Sequence, residues 1–221
     1  AALLDARTGS DTYLAACDTG VQGLRVGVVR KHFGHHAGTD AVAEAALSAL
    51  AAAGATLVDP VDFPEIPTYD ASGGVEGGDE LTVLLYELKH DLNVYLARRP
   101  EGGPRTLTDV IAFNRAHDGQ EMAWFGQELF EKAQALGGLD SPAYCEALAA
   151  CVKGSRTEGL DPVFDKHRLD AVIAPTGGPA WLIDPIAGDH AGGSFSTPAA
   201  VAGYPHLTVP AGFVRGLPLG L

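Results

Sequence analysis

Apolar positions along the chain change period several times, and each change predicts an element. Residues 24–29 (Leu24-Arg25-Val26-Gly27-Val28-Val29) alternate and are β-branched, which predicts a strand. A helix is expected over 41–53, with Thr39 or Asp40 able to cap it and Gly54 where a helix stops. A second strand is expected over 55–58, so strand, helix and strand form a βαβ unit with parallel, right-handedly connected strands. Leu81, Leu84, Leu85, Leu88, Leu92 and Tyr95 then recur at helical spacing and predict one buried stripe. Pro100 and Pro104 interrupt it, and Thr106 can cap a helix carrying Leu107, Val110, Ile111 and Phe113. Further helices are expected over 120–135, from Ser141-Pro142 through 153, and over 163–167, ahead of a strand at 170–174. The predicted class is α/β: a mixed, largely parallel sheet flanked by helices, with a helical section over 81–167. The Pro- and Gly-rich stretch 60–80 is expected to be a long, flexible connection.

The stretch 169–221 reads differently from the rest. The apolar run at 170–174 ends at once in Pro175-Thr176-Gly177-Gly178-Pro179, and ligands of α/β sheets sit off the carboxyl ends of strands. Thr176, Gly177, Gly178 and Trp181 are therefore candidate substrate-binding residues, together with Ser194, Ser196 and Thr197 in the small-residue block before a short helix at 198–202. Each has a plainer alternative. Ser196 or Thr197 can be an N-cap with Pro198 at the first helical position, and Trp181 can be core or rim packing.

Composition narrows the possibilities. The 221 residues are 46% hydrophobic and 19% charged, the balance of a globular protein. With 15 Lys and Arg against 28 Asp and Glu, the net charge of −13 argues against nucleic acid and anionic membrane as partners. Cys17, Cys145 and Cys151 have no metal-site spacing and are expected to be buried free thiols of a cytoplasmic chain. A Cys145–Cys151 pair and an export signal removed before this numbering are the alternatives. His32, His35 and His36, near Asp40, form one conceivable metal cluster, but exposed loop histidines are the preferred reading and no metal site is assigned. His117, with Phe113 and Asn114 on one helix face, is read as a packed or surface residue, and Asp161 and Asp165 as a solvated helix face. Gly27 lies inside a strand and no G-x-G-x-x-G follows it, so a dinucleotide-binding reading is poor.

Four segments together resemble the amidase signature family of serine hydrolases: Asp170-Ala171-Val172-Ile173-Ala174-Pro175-Thr176, Ala200-Val201-Ala202-Gly203-Tyr204-Pro205, Val209-Pro210-Ala211-Gly212 and Gly216-Leu217-Pro218-Leu219-Gly220-Leu221. Leu85-Tyr86-Glu87-Leu88-Lys89, Phe113-Asn114 with His117, and Phe125-Gly126-Gln127 look like its peptide amidase-type branch. The resemblance implies the second part of an amidase signature fold, a small amide or peptide amide as substrate, and no cofactor. In that family a Ser is activated by a second Ser in a cis peptide, and that Ser by a Lys, all from a Gly/Ser-rich block upstream of the region matched here. The only Gly-Gly-Ser, Gly192-Gly193-Ser194, does not match that block, and none of Lys31, Lys89, Lys132, Lys153 and Lys166 has the family's lysine context. No catalytic residue is therefore assigned within this chain.

The opening at 1–6 reads as a helix without a cap, and 217–221 as an interrupted apolar run. The expectation is one partial amidase domain over 1–221, whose partner is the N-terminal portion of the same protein; a homodimer is a further possibility. Two alternatives remain: a non-catalytic domain that binds a ligand or another protein chain, and one component of a multi-subunit amidotransferase.

Overall fold

The strand β1 (Arg25–Val28) is buried on both faces, because Val26, Val28 and the following Val29 are all inside and Gly27 admits a close neighbour. A Cβ on Gly27 would lie 2.7 Å from Leu169 Cδ1 and 2.9 Å from Val61 Cγ1. β1 is the middle of a three-stranded parallel sheet, between β2 (Thr56–Val58) and β3 (Ala171–Ile173). The computed structural model describes residues 12–64, 78–100, 102–190 and 193–221. The expected helix over 1–6, most of the 60–80 connection and Gly192 lie outside the described residues. The chain divides into two units, residues 1–65 with 159–221, and residues 66–158.

In the first unit, the short helix α1 (Thr12–Ala16) precedes β1, and α2 (Ala37–Ala52) joins β1 to β2. The helix starts earlier than 41 because His36, not Thr39 or Asp40, is the N-cap: its Nδ1 accepts the Thr39 N–H at 3.1 Å. Asp40 instead accepts the Gly34 N–H at 3.1 Å. The stop falls where expected. Gly54 takes a left-handed φ of 97°, and Ala55 N–H donates to the Leu50 carbonyl at 3.1 Å, closing a Schellman turn. Arg30, just past β1, donates to Asp59 Oδ1 at 2.7 Å and also to Glu44, so one guanidinium ties the ends of β1 and β2 to α2.

The second unit is helical: α3 (Asp79–Ala97), α4 (Leu107–Ala116), α5 (Asp118–Glu121), α6 (Glu128–Ala135) and α7 (Pro142–Val152). Leu107, Ile111 and Ala133 form a buried cluster against Leu85, Leu88, Leu92 and Phe130. Thr106 caps α4 in a full capping box with Asp109. The expected stripe on α3 holds in part. Leu84 and Tyr95 are exposed, while Tyr86 and Leu96 are buried, because α3 packs on α4, α6 and α7 rather than on one surface. The helix expected over 120–135 is two helices. Between them Gln127 bonds sideways, accepting from Asn114 Nδ2 at 3.1 Å and donating to the Ile111 carbonyl at 3.3 Å. Lys89 Nζ donates to the carbonyls of Gln134 and Leu136 at the end of α6. His117 stacks on Phe113 at 4.2 Å, a packing role as expected.

A π-helical stretch, Lys153–Leu160, follows α7 and has no counterpart among the predicted elements; within it Ser155 is fully buried. α8 (Asp161–His167) ends through Arg168, whose φ of 51° lets Leu169 N–H reach the Phe164 carbonyl at 3.0 Å. After β3 come α9 (Thr197–Ala202) and an antiparallel hairpin of β4 (Pro210–Val214) and β5 (Leu217–Gly220). Arg215 and Gly216, with φ of 50° and 83°, make its two-residue turn. Of the three cysteines only Cys151 is buried, which corrects the expectation for exposed Cys17 and Cys145; none is in a disulfide. Burial pushes the Cys151 thiol pKa up.

Two of these contacts can be tested by stability. The Arg30 guanidinium holds the Asp59 carboxyl below the usual carboxylate range, so Asp59 stabilises the fold above the unfolded carboxylate pKa and that contribution is lost as pH falls through the lower folded value. Asp59→Asn should cost about 1 kcal/mol near pH 7 in urea unfolding, with the difference fading below about pH 4. Thr106→Ala removes one half of the capping box and should cost about 1 kcal/mol, read as faster amide exchange in the first turn of α4.

Candidate functional site

A cleft of about 850 Å³ opens beside β3, within the first unit. Its floor is residues 170–174 and Thr176; α8 contributes Asp161, Phe164 and Asp165 to one wall, with Leu160 just before it. Phe195, Pro198 and Ala199 close it on the side of α9, and the run 204–207 with Val209 and Leu221 makes the rest. The far wall is held by backbone pairing. Thr176 N–H donates to the Gly220 carbonyl at 3.0 Å, and Val209 and Leu221 exchange two N–H···O bonds of 3.0 Å.

Of the residues expected to bind substrate, only Thr176 lines this cleft. Its hydroxyl is 2.7 Å from that of Thr208, and Gly220 is glycine because a Cβ there would lie 2.2 Å from Thr208 Oγ1 and 3.0 Å from Thr176 Oγ1. Gly177 forms an antiparallel bridge with Ser194, so the two candidate segments do meet, although 17 positions apart in sequence. Ser194 Oγ and Ser196 Oγ are 3.4 Å apart. Gly178 is half-buried and continues the loop. Trp181 stands apart on an exposed loop, its indole N–H donating to Asp189 at 3.0 Å. That loop turns on Asp184, whose carboxylate accepts from the N–H groups of Ile186 and Ala187 and is thereby held below the usual carboxylate range.

The capping alternative for the hydroxyls changes in detail. Ser196 occupies the N-cap of α9 but has helical backbone angles and makes no side-chain cap bond, and Thr197, half-buried, is already inside the helix. Asp161 is not a merely solvated residue. It accepts the Tyr204 hydroxyl at 2.6 Å and so links α8 to the segment after α9. Phe195 is buried between the His32 ring (4.7 Å) and Phe63 (5.5 Å), which anchors the Ser194–Thr197 segment. Sequence reasoning passes over Thr208 and Gly220. Their signal is the pairing of small residues in two separate segments, which only the hairpin brings together.

The geometry is that of an α/β sheet whose loops, at the carboxyl end of β3, build one side of a cleft. No family model matches the sequence. Its relatives include amidases and amidotransferase subunits. An Arabidopsis thaliana protein named "Probable amidase" is 30% identical over 208 residues, 92% of this chain and 35% of that protein. A glutamyl-tRNA(Gln) amidotransferase subunit of Pseudomonas aeruginosa is 31% identical over 96% of this chain and 43% of its own length. Among solved structures, a peptide amidase in complex with the competitive inhibitor chymostatin superposes with a TM-score of 0.76 at 41% identity, covering 91% of this chain and 39% of that one. Native peptide amidase from Stenotrophomonas maltophilia gives 0.71 at 42% identity, with the same coverage. Over the length it spans, the chain belongs to the amidase signature family, with the mixed α/β fold of its peptide amidases. That length is 35–43% of the relatives it matches.

Gly220→Ala tests the wall directly. The added methyl must displace the Thr176–Thr208 pair, so the variant should lose about 1–3 kcal/mol in urea unfolding. Thr208→Ala in the same background should recover part of that loss by vacating the contact.

Proposed function

We propose that this chain is one part of an amidase domain that hydrolyses carbon–nitrogen bonds of small or C-terminal peptide amides through a serine acyl-enzyme. The nucleophilic Ser and its Lys lie outside the chain. The observation that carries this reading is the 41–42% identity with peptide amidases across 91% of the chain. The amidotransferase component shares 31%, which supports the second reading, an ammonia-supplying subunit, less well.

In the proposed site this chain supplies wall. Acyl transfer needs a nucleophile, a base, and donors for the oxyanion, and the wall must hold the amide in line with them. Thr176 is engaged with Thr208 and positions the loop. The backbone of Gly177 and Gly178 and the hydroxyls of Ser194 and Ser196 then face the substrate, with Thr197 and Phe195 fixing their segment. Trp181, oriented by Asp189, lies against an apolar part of the substrate.

The test replaces the matching portion of the Stenotrophomonas maltophilia peptide amidase, in frame, with this chain. The chimera should release ammonia from a C-terminal peptide amide, and a serine-directed phosphonate should abolish the release. Ammonia release from glutamine with none from peptide amides would favour the amidotransferase reading. Phosphonate-resistant release would sink the serine mechanism.

A further inference from the structure

We propose that the first turn of α2 positions the wall, and that its His36 cap makes the wall proton-sensitive: the neutral imidazole holds the turn and protonation releases it. His36 is thereby a positioning residue, acting through the backbone it caps. That the wall holds an amide substrate rests on the proposed function; that His36 governs the wall rests on the contacts of this turn.

Close contacts converge on the turn from two sides. On one side the His35 ring lies against the backbone of Gly193, where a Cβ would stand 2.7 Å from His35 Cδ2. Gly193 leads directly into Ser194, which pairs with Gly177, and His32 stacks on Phe195 at 4.7 Å in the same segment. On the other side Gly38 faces β4. A Cβ there would stand 3.1 Å from both methyls of Val214 and 3.0 Å from His36 Cε1. One turn further along α2, Val42 meets Gly212 of β4, 2.9 Å from where its Cβ would be. β4 pairs with β5, whose Gly220 carbonyl accepts the Thr176 N–H. Glycine at each of these contacts leaves no side chain to absorb a displacement, so a shift of the turn is passed to both parts of the wall.

The bond that holds the turn carries a proton condition. His36 Nδ1 accepts the Thr39 N–H at 3.1 Å and stands 3.3 Å from the Thr39 hydroxyl. Thr39 is buried, so an N–H that loses this partner is costly. A protonated imidazole has no lone pair to accept it, and it sets a positive charge at the positive end of the helix dipole. His36 is exposed, so protons reach it from solvent. The cap is present above the range in which imidazoles gain a proton and is lost as pH falls through it.

The neighbouring charges do not replace it. On α2, Asp40 is committed to the Gly34 N–H and Glu44 to Arg30. Ahead of the turn stand Arg30, Lys31, His32 and His35; the segment carrying Phe63 brings Asp59 and Asp62, with Asp59 bonded to Arg30. The hairpin turn beyond β4 brings Arg215, and the segment 193–202 carries no charged residue.

The experiment follows amide hydrogen exchange of the intact chain at about pH 7.5 and about pH 5.5, corrected for the intrinsic rate. Protection of the Thr39 amide should fall about fivefold, and that of the Thr176 amide, in the wall, about threefold. The Val29 amide, bonded to Ile173 within the sheet, should keep its protection. His36→Asn supplies a cap that does not titrate, so both losses should shrink below about twofold, whereas His36→Ala should leave Thr39 poorly protected at both pH values. A Thr176 loss that persists in His36→Asn would overturn the inference, as would a Thr39 loss with Thr176 unchanged. A parallel fall at Val29 reports global unfolding and overturns it too. In the chimera with the peptide amidase, KM for a C-terminal peptide amide should rise on acidification by a larger factor than kcat falls, and His36→Asn should remove that rise; a rise kept in full by the variant counts against the inference. Proton-dependent protection in a chimera that hydrolyses no amide leaves the role of His36 standing and counts against the amidase reading instead.

Discussion

The structure of the first unit depends on one pairing, that of β1 with β3 across 145 positions of sequence. Arg25 fixes its start. The Arg25 N–H donates to the Asp170 carboxylate at 2.8 Å, and the guanidinium donates twice, at 3.1 Å each, to the carbonyl of His167 at the end of α8. One residue thus closes the carbonyl end of α8 and sets the register of β3. Everything proposed for the site hangs from the far end of β3: Thr176 on the Gly220 carbonyl, Gly177 on Ser194, and the cleft along the edge. A slip of one residue would turn Val172 toward β1 and reverse the faces of the strand. Gly27 makes the register still tighter, because only glycine lets Leu169 and Val61 approach β1 so closely.

The wall of the site is built from small residues for the same reason. The segment 176–177 must lie within hydrogen-bonding distance of Gly220 on one side and Ser194 on the other, and a sizeable side chain at Gly220 or Gly177 would push them apart. The hydroxyls of Thr176 and Thr208 satisfy each other at 2.7 Å, and those of Ser194 and Ser196 pair more loosely at 3.4 Å. Two hydroxyl pairs thus hold the wall together, one joining distant segments and one within a single segment, although the sequence presents all four as the same class of small polar residue.

Legibility follows the range of the interactions. Elements set by local pattern are read well: β1, β2 and β3 by their apolar runs, α4 by the Thr106 cap, α7 by Ser141-Pro142, and the end of α2 by Gly54. Errors arise where a distant partner decides. Gln127 breaks the helix expected over 120–135 because its amide is committed to Asn114 and Ile111. His36 outranks Thr39 as a cap because its ring reaches the Thr39 N–H, a geometry that residue preferences rank low. The π-helix at Lys153–Leu160 leaves no mark in apolar spacing, since one extra residue per turn only rotates the face. At the site, Gly177 and Ser194 read as one wall and they do pair; Asp161 reads as solvated and instead holds Tyr204, a contact fixed by the path of the chain after α9.

The two edges of the sheet are kept short by the residues that bound them. β2 and β3 are both outer strands among the described residues, and an open edge is a template for whatever strand reaches it. Proteins blunt such edges with charge, proline or a cover. β2 runs straight into Asp59-Pro60, with Asp59 drawn into the Arg30 network, so charge and proline stand at its exit. β3 is bounded in a similar way, with Asp170 just before it and Ala174-Pro175 just after it. Between them Val172 lines a largely apolar cleft to which Asp165 and Asp170 also contribute. Charge and proline thus bound both outer strands, and each confines its open ladder to about three residues.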